Sequence, residues 1–250
     1  MKTLHNLKFA PLAMALSILT VPTLASSAEP KGQVRGYYSH GSLSHSTALS
    51  MEGPGYIHLF QDRDRHFGSE GLIQLIETSA QTFQAQEPSS ERLQIGDIAA
   101  ENGGEISGHA SHQNGLDIDL VYFRRDRREQ SLKVLHGFDE SFVTSEGGIT
   151  PNFDTERNWT FLKILFQSGR LNRIFVDPGI KRAFCALNNP SDPDSVEMLR
   201  RLRPYPNHAD HWHVRLTCPP TSANCKAQAV VPPGDGCKSI DADFANANKD

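Results

Sequence analysis

Residues 108–120 read GHASHQNGLDIDL, and residues 207–216 read NHADHWHVRL. Both windows end in strict alternation, and successive side chains of an extended strand point to opposite faces. Leu116, Ile118 and Leu120 share one face, while Asp117, Asp119 and Val121 share the other. Likewise Trp212, Val214 and Leu216 oppose His211, His213 and Arg215. The pattern predicts two strands, 116–123 and 211–216, with apolar residues packed inward and polar ones facing a surface or cleft. Set antiparallel, these strands bring Asp119 beside His213. A turn at Asn114-Gly115 folds His112 back toward Asp119.

Two imidazoles and a carboxylate, without a thiolate, form a donor set for one Zn²⁺. Three protein ligands leave a position for water, as a catalytic zinc requires. His109, His208 and His211 are the groups left around that position, as general base, transition-state stabiliser or partner behind a ligand. Asp117 reads as a surface or hydrogen-bonding residue, and Arg215 as a candidate anchor for a substrate carboxylate. Five of the eleven histidines fall in these two windows. His40, His45, His58, His66 and His136 have no comparable neighbours and read as structural or surface residues.

Outward from the two windows, Ser69 is positioned to cap a helix running to about Gln84. Leu93–Ile98 and Arg173–Asp177 predict strands. Helices are expected over Trp159–Gln167, from Pro178 through GIKRAFCAL, and over Ser195–Leu202. Residues 29–66 read as loop and short strands, 137–156 as a long loop, and the tail from Ala227 as irregular. Helices and strands in mixed order, with no linker or repeat, indicate one α+β domain over residues 29–250.

The chain has 250 residues, 38% apolar and 22% charged, which is enough apolar material for a real core and excludes a disordered chain. Its formal charge of −4 excludes the concentrated basic face of a nucleic-acid binder. Residues 1–28 have basic Lys2 and Lys8, an apolar run from Phe9 to Leu24, and small Ser26 and Ala28 before Glu29. This reads as a cleaved secretory signal peptide, after which no segment can span a membrane. Cleavage removes Lys2 and Lys8 and takes the charge from −4 to −6. Oligomeric state is not legible.

Export permits disulfides. Cys185, Cys218, Cys225 and Cys237 allow three pairings. Cys218 and Cys225 bracket the turn-rich PPTSAN, so they close a small loop, which leaves Cys185 with Cys237. Spacings of 33, 7 and 12 contain no CxxC and disfavour a four-cysteine zinc site.

The H-x₆-D of His112 and Asp119 with the H-x-H of His211 and His213 resembles the zinc peptidase clan of lysostaphin, the D-Ala-D-Ala peptidases and the hedgehog amino-terminal domain. RHFGSEGLIQLIE (65–77), LQIGDIAAENGGEISGHASHQNGLDIDL (93–120) and RIFVDPGIKRAFC (173–185) narrow the resemblance to the penicillin-insensitive murein endopeptidase family, from about Tyr38 to Cys237. That resemblance implies an α+β domain around a central antiparallel sheet, hedgehog/D-Ala-D-Ala peptidase-like. It implies Zn²⁺ on His112, Asp119 and His213, with His109 also counted with the metal, and His208 and His211 in catalysis. The implied reaction is hydrolysis of the D-alanyl–meso-diaminopimelyl amide that cross-links peptidoglycan stem peptides, in the periplasm. Members can hold a second metal, for which no clear motif stands here; His136, Asp139 and Asp154 are the candidate contributors. Two further readings are a D,D-carboxypeptidase trimming stem peptides and a metal-containing wall-binding module without catalysis. The presence of His208 and His211 argues against the second.

Overall fold

The computed structural model describes residues 32–247, so the segment read as a signal peptide lies outside the described residues. In chain order come β1 (Gln33–Tyr37), β2 (His40–Ser44), β3 (Thr47–Ala48), β4 (Glu52–Gly53), β5 (Tyr56–His58), β6 (Phe67–Gly68), α1 (Glu70–Gln86), β7 (Leu93–Ile95) and β8 (Asp117–Val121). They are followed by α2 (Thr155–Gln167), β9 (Leu171–Val176), α3 (Pro178–Cys185), α4 (Pro193–Arg201), β10 (Leu202–Pro204), β11 (His211–Leu216) and α5 (Ile240–Ala247). This is an α+β domain.

Seven strands form one sheet in the order β10-β9-β11-β8-β7-β5-β4. Its centre is antiparallel, as expected, with β8 and β9 flanking β11. Two pairs are parallel, β5 with β7 and β9 with β10. Each parallel pair is joined through helix, α1 in the first case and α3 with α4 in the second. A parallel return needs such a crossover, because a tight turn cannot bring the chain back in the same direction.

Most helix starts are set by a side chain that takes up an orphan amide. Ser69, Asp154, Asp177 and Asp192 accept from Leu72, Arg157, Gly179 and Asp194, respectively. Helix α2 begins four residues before Trp159 because its first turn, Thr-Glu-Arg-Asn, carries no apolar signal. Asn158 in that turn is nevertheless buried, and its amide bridges the backbone N–H and carbonyl of Phe123. The tail also departs from expectation. It ends in α5, whose Ile240 is buried and whose Asp243 pairs with Arg203 at 3.0 Å. A single buried apolar residue and one ion pair leave little periodic signal in the sequence.

The apolar face of the sheet packs as read. Ile118, Leu120, Trp212, Val214 and Leu216 join residues of α1 to α4 in one core, and Trp212 stacks on Phe184 of α3 at 5.4 Å. The polar face, expected to face outward, is covered as well. Asp117 and Asp119 are 0% and 2% exposed, and His213 and Arg215 are 8% and 5%. The cover at one end is the β1–β2 hairpin: the Tyr38 hydroxyl donates to the Leu216 carbonyl at 2.8 Å, and its ring lies 4.1 Å from the Arg215 guanidinium.

Disulfides Cys185–Cys237 and Cys218–Cys225 both close, and no free cysteine remains. The first spans 52 residues and pins the tail to α3; by loop-closure entropy it contributes about 4 kcal/mol, against about 2 kcal/mol for the seven-residue loop. Lys181 secures the same junction, its fully buried Nζ donating to the carbonyls of Leu199, Leu202 and Asp235.

Candidate metal centre

The register of β8 against β11 places Asp119 directly opposite His213. Opposed residues of neighbouring strands project side by side, so the carboxylate and the imidazole are neighbours by construction. His213 Nδ1 lies 3.7 Å from Asp119 Oδ1. His112 arrives from the loop before β8. Its φ of 66° is left-handed, unusual for a residue with a Cβ. Asp117 Oδ2 accepts the His112 backbone N–H at 3.1 Å and holds that conformation. Gly115, φ 72°, makes the turn; a Cβ there would stand 2.6 Å from Leu43.

Nδ1 of His112 meets the Ile98 carbonyl at 2.7 Å. A carbonyl only accepts, so Nδ1 carries the proton and Nε2 presents a lone pair. That lone pair lies 3.3 Å from Asp119 Oδ1, and both atoms are buried without a hydrogen-bond partner. Two buried acceptors at this distance repel unless a positive charge lies between them. The electrostatics give the same answer with a proton in that role. Burial pushes the His112 imidazole down, but Asp119 outweighs it and raises the imidazole to about 9. Burial pushes the Asp119 carboxyl up, and His112 followed by His211 holds it well below its usual range. The residues therefore fit a cation.

His109 completes the tightest group. Ligand atoms of His109, His112 and Asp119 all lie within 4.8 Å of one another. His213 adjoins through Asp119, its ring 4.6 Å from that of His112. His213 Nε2 is a further buried atom without a hydrogen bond, 3.4 Å from Asp117 Oδ1. Burial lowers the His213 imidazole to about 4.

His208 and His211 flank this group, their rings 5.0 Å apart. His208 Nδ1 donates to the Pro206 carbonyl at 2.5 Å, and burial, then His211, lowers its pKa to about 3, so it is neutral. His211 Nδ1 donates to Asp210 Oδ1 at 2.6 Å, which turns Nε2 to within 3.5 Å of Asp119. His211 also lines an open groove with Phe60, Phe138 and Asp119.

One reading from sequence narrows and another changes. Asp117 is the hydrogen-bonding residue of its two readings and not the surface one: it is fully buried, and Arg215 grips it with Nε at 2.6 Å and Nη2 at 3.0 Å. Arg215 is therefore engaged in the interior and is not an anchor for substrate. Two of the three candidate contributors to a second metal are used otherwise: Asp139 pairs with the buried Arg124, and Asp154 caps α2, while His136 lines the groove beside Arg63. Among the described residues, no second group of ligating side chains gathers as His109, His112 and Asp119 do.

Asp97 and Asp210 carry roles that the sequence did not suggest. Asp97 Oδ2 is met by His109 Nε2 at 3.0 Å, Arg63 at 3.0 Å and Arg65 at 2.9 Å. Its carboxyl is lowered: burial pushes it up, and His109 and Arg63 prevail. Asp210 adjoins His211 in sequence, which is a usable signal. Asp97, twelve residues before His109, has none.

His58 is structural, as read, and it is fully buried with no hydrogen bond at either ring nitrogen. Burial, then His66, lowers it to about 4, against about 6.5 in an unfolded chain. Between those values the unfolded chain binds more protons, so stability falls as pH drops from about 6.5 to 4 and is unaffected above. His58→Phe should flatten that part of the urea-midpoint profile. An unchanged slope across the window would remove His58 from the acid response.

The family model for penicillin-insensitive murein endopeptidase matches residues 34–249. A penicillin-insensitive murein endopeptidase of Klebsiella pneumoniae is 34% identical over 232 residues, covering 91% of this chain and 82% of that protein. One of Haemophilus influenzae is 33% identical over 223 residues, 84% of this chain and 72% of that protein. One of Salmonella typhi is 33% identical over 204 residues, 81% and 72%.

Proposed function

The chain belongs to the penicillin-insensitive murein endopeptidase family, and from that premise we propose that it is a zinc endopeptidase that hydrolyses D-alanyl–meso-diaminopimelyl amides between peptidoglycan stem peptides. The observation that carries the metal assignment is the pair of buried, unpartnered acceptors, His112 Nε2 and Asp119 Oδ1, 3.3 Å apart. The catalytic domain is residues 29–250, acting in the periplasm after the signal peptide is removed. Among the described residues no helix is long and apolar enough to cross a membrane.

His112, Asp119 and His213 would hold the zinc, with His109 beside them. When bound, zinc polarises a scissile carbonyl and lowers the pKa of water toward 7. His211, which alone of the two flanking histidines lines the groove, would accept a proton at Nε2 and return it to the leaving amine as general base and then acid. Asp210, on Nδ1, fixes the tautomer and stabilises the imidazolium that forms. His208 stays neutral and packs 5.6 Å from the His213 ring, holding the far side of the cluster in place. Phe138 lies 4.7 Å from the His211 ring and keeps bulk water from that side.

Digestion of purified sacculi with zinc-loaded protein tests this reading. Chromatography should show cross-linked dimers converted to monomers, with a chelator stopping the conversion and added zinc restoring it. Trimming of pentapeptide monomers with dimers untouched would establish the carboxypeptidase instead. Binding to sacculi with no muropeptide released would establish the wall-binding module.

A further inference from the structure

Arg63 and Arg65 line the same groove as Asp119 and His211, and no step above uses them. Both donate to one oxygen, Asp97 Oδ2, which His109 also meets. Asp97 Oδ1 is buried and accepts from nothing. Each guanidinium is held from several sides. Arg63 donates to the Leu135 carbonyl at 2.6 Å and lies 3.9 Å over the Phe60 ring. Arg65 donates to the carbonyl and hydroxyl of Ser107 at 2.9 and 2.6 Å. The side chains are still 19% and 16% exposed.

The charges there do not balance. Two guanidinium groups face a single carboxylate, and one arginine would suffice to neutralise Asp97. The groove's other acids are engaged elsewhere, Asp119 with His112 and His211, and Asp210 with His211. Among the described residues nothing accepts from the Nε–H of either arginine. Fixed, partly exposed guanidinium groups with donors in hand match a carboxylate in charge and geometry, and their rigidity is already set before any ligand arrives.

We propose that Arg63 and Arg65 form a carboxylate-recognition wall that selects substrates carrying a free carboxylate on the carbon bonded to the scissile amide nitrogen. This rests on the functional reading above. In that cross-link the acylated amino group belongs to the D-centre of diaminopimelate, whose own carboxylate is bonded to the same carbon. Its carbon is three bonds from the reacting carbonyl carbon, within about 4 Å of it. The arginines stand one carboxylate, Asp97, behind His109, so they border the place where that group falls.

The test uses two otherwise identical cross-linked muropeptide dimers, one with the D-centre carboxylate free and one with it amidated. The zinc-loaded wild type should cleave the free form with kcat/KM about 10–100-fold higher, the span of a hydrogen-bonded charge. In Arg63→Gln and Arg65→Gln, each of which leaves the other arginine on Asp97, that ratio should fall toward one. The ratio is internal to each preparation, so partial misfolding of a variant cancels, and a purely structural role would leave it unmoved. Equal cleavage of both dimers by the wild type, or an unchanged ratio in both variants, overturns the wall while leaving the endopeptidase standing. No cleavage of either dimer by zinc-loaded wild type overturns the endopeptidase reading and the wall with it.

Discussion

His112→Ala should fold, bind no zinc, and lose cross-link cleavage by on the order of 10³-fold or more. That exceeds the roughly 10–100-fold that loss of a partner behind a ligand costs. The expectation follows from the position of Nε2, a buried lone pair aimed at the Asp119 carboxylate with nothing else to bind. Alanine has a Cβ like histidine, so the left-handed φ of 66° costs only modestly more in the variant, histidine tolerating that region somewhat better. The Asp117 carboxylate still holds the backbone N–H, because that bond does not involve the imidazole. Metal content by elemental analysis, muropeptide release and thermal unfolding separate the effects. A His112→Ala protein that keeps stoichiometric zinc and wild-type cleavage would falsify the ligand assignment.

Arg215→Met should be the most destabilising single change on the polar face of the sheet. It leaves the fully buried Asp117 carboxylate without its bidentate partner. Burial alone pushes that carboxyl up, and Arg215 is the largest influence holding it well below its usual range. Breaking such a pair costs about 3–5 kcal/mol, since the surviving charge is stranded away from water. For a domain of this size that is a fall in Tm of roughly 6–20 °C. Adding Asp117→Asn should recover most of the loss, because the stranded charge is then gone. Recovery stays incomplete, since the amide is a weaker acceptor for the His112 N–H. Urea unfolding of the wild type, Arg215→Met and the double variant checks this. A loss under about 1 kcal/mol for Arg215→Met, or no recovery in the double variant, would contradict the assignment.

The two strands at the heart of the fold are legible because a strand writes its period directly into the residues. Leu116 to Leu120 and Trp212 to Leu216 alternate, and both faces follow from that alternation alone. The cysteines are legible for a similar local reason, a turn-rich hexapeptide between Cys218 and Cys225. The candidate donors are legible by type, since imidazole and carboxylate are the side chains that suit a zinc site and both stand on or beside these strands. By contrast, the start of α2 and the whole of α5 are carried by contacts to distant residues, Asn158 to Phe123 and Asp243 to Arg203. Nothing within those segments announces them.

Alternation and donor chemistry, then, settle which side chains share a face and which elements they suit, because both depend only on neighbours along the chain. The sequence by itself therefore determined the strands, the polar face and the candidate donors on it. Tertiary structure decided what became of that face. Register set His213 against Asp119, the β1–β2 hairpin closed over Arg215 through Tyr38, Arg215 took the buried Asp117, and Asp97 gathered two arginines and His109 on one oxygen. A charge buried by distant segments must find its partner in space, and spatial partners 98 residues apart, as Asp117 and Arg215 are, leave no period to read.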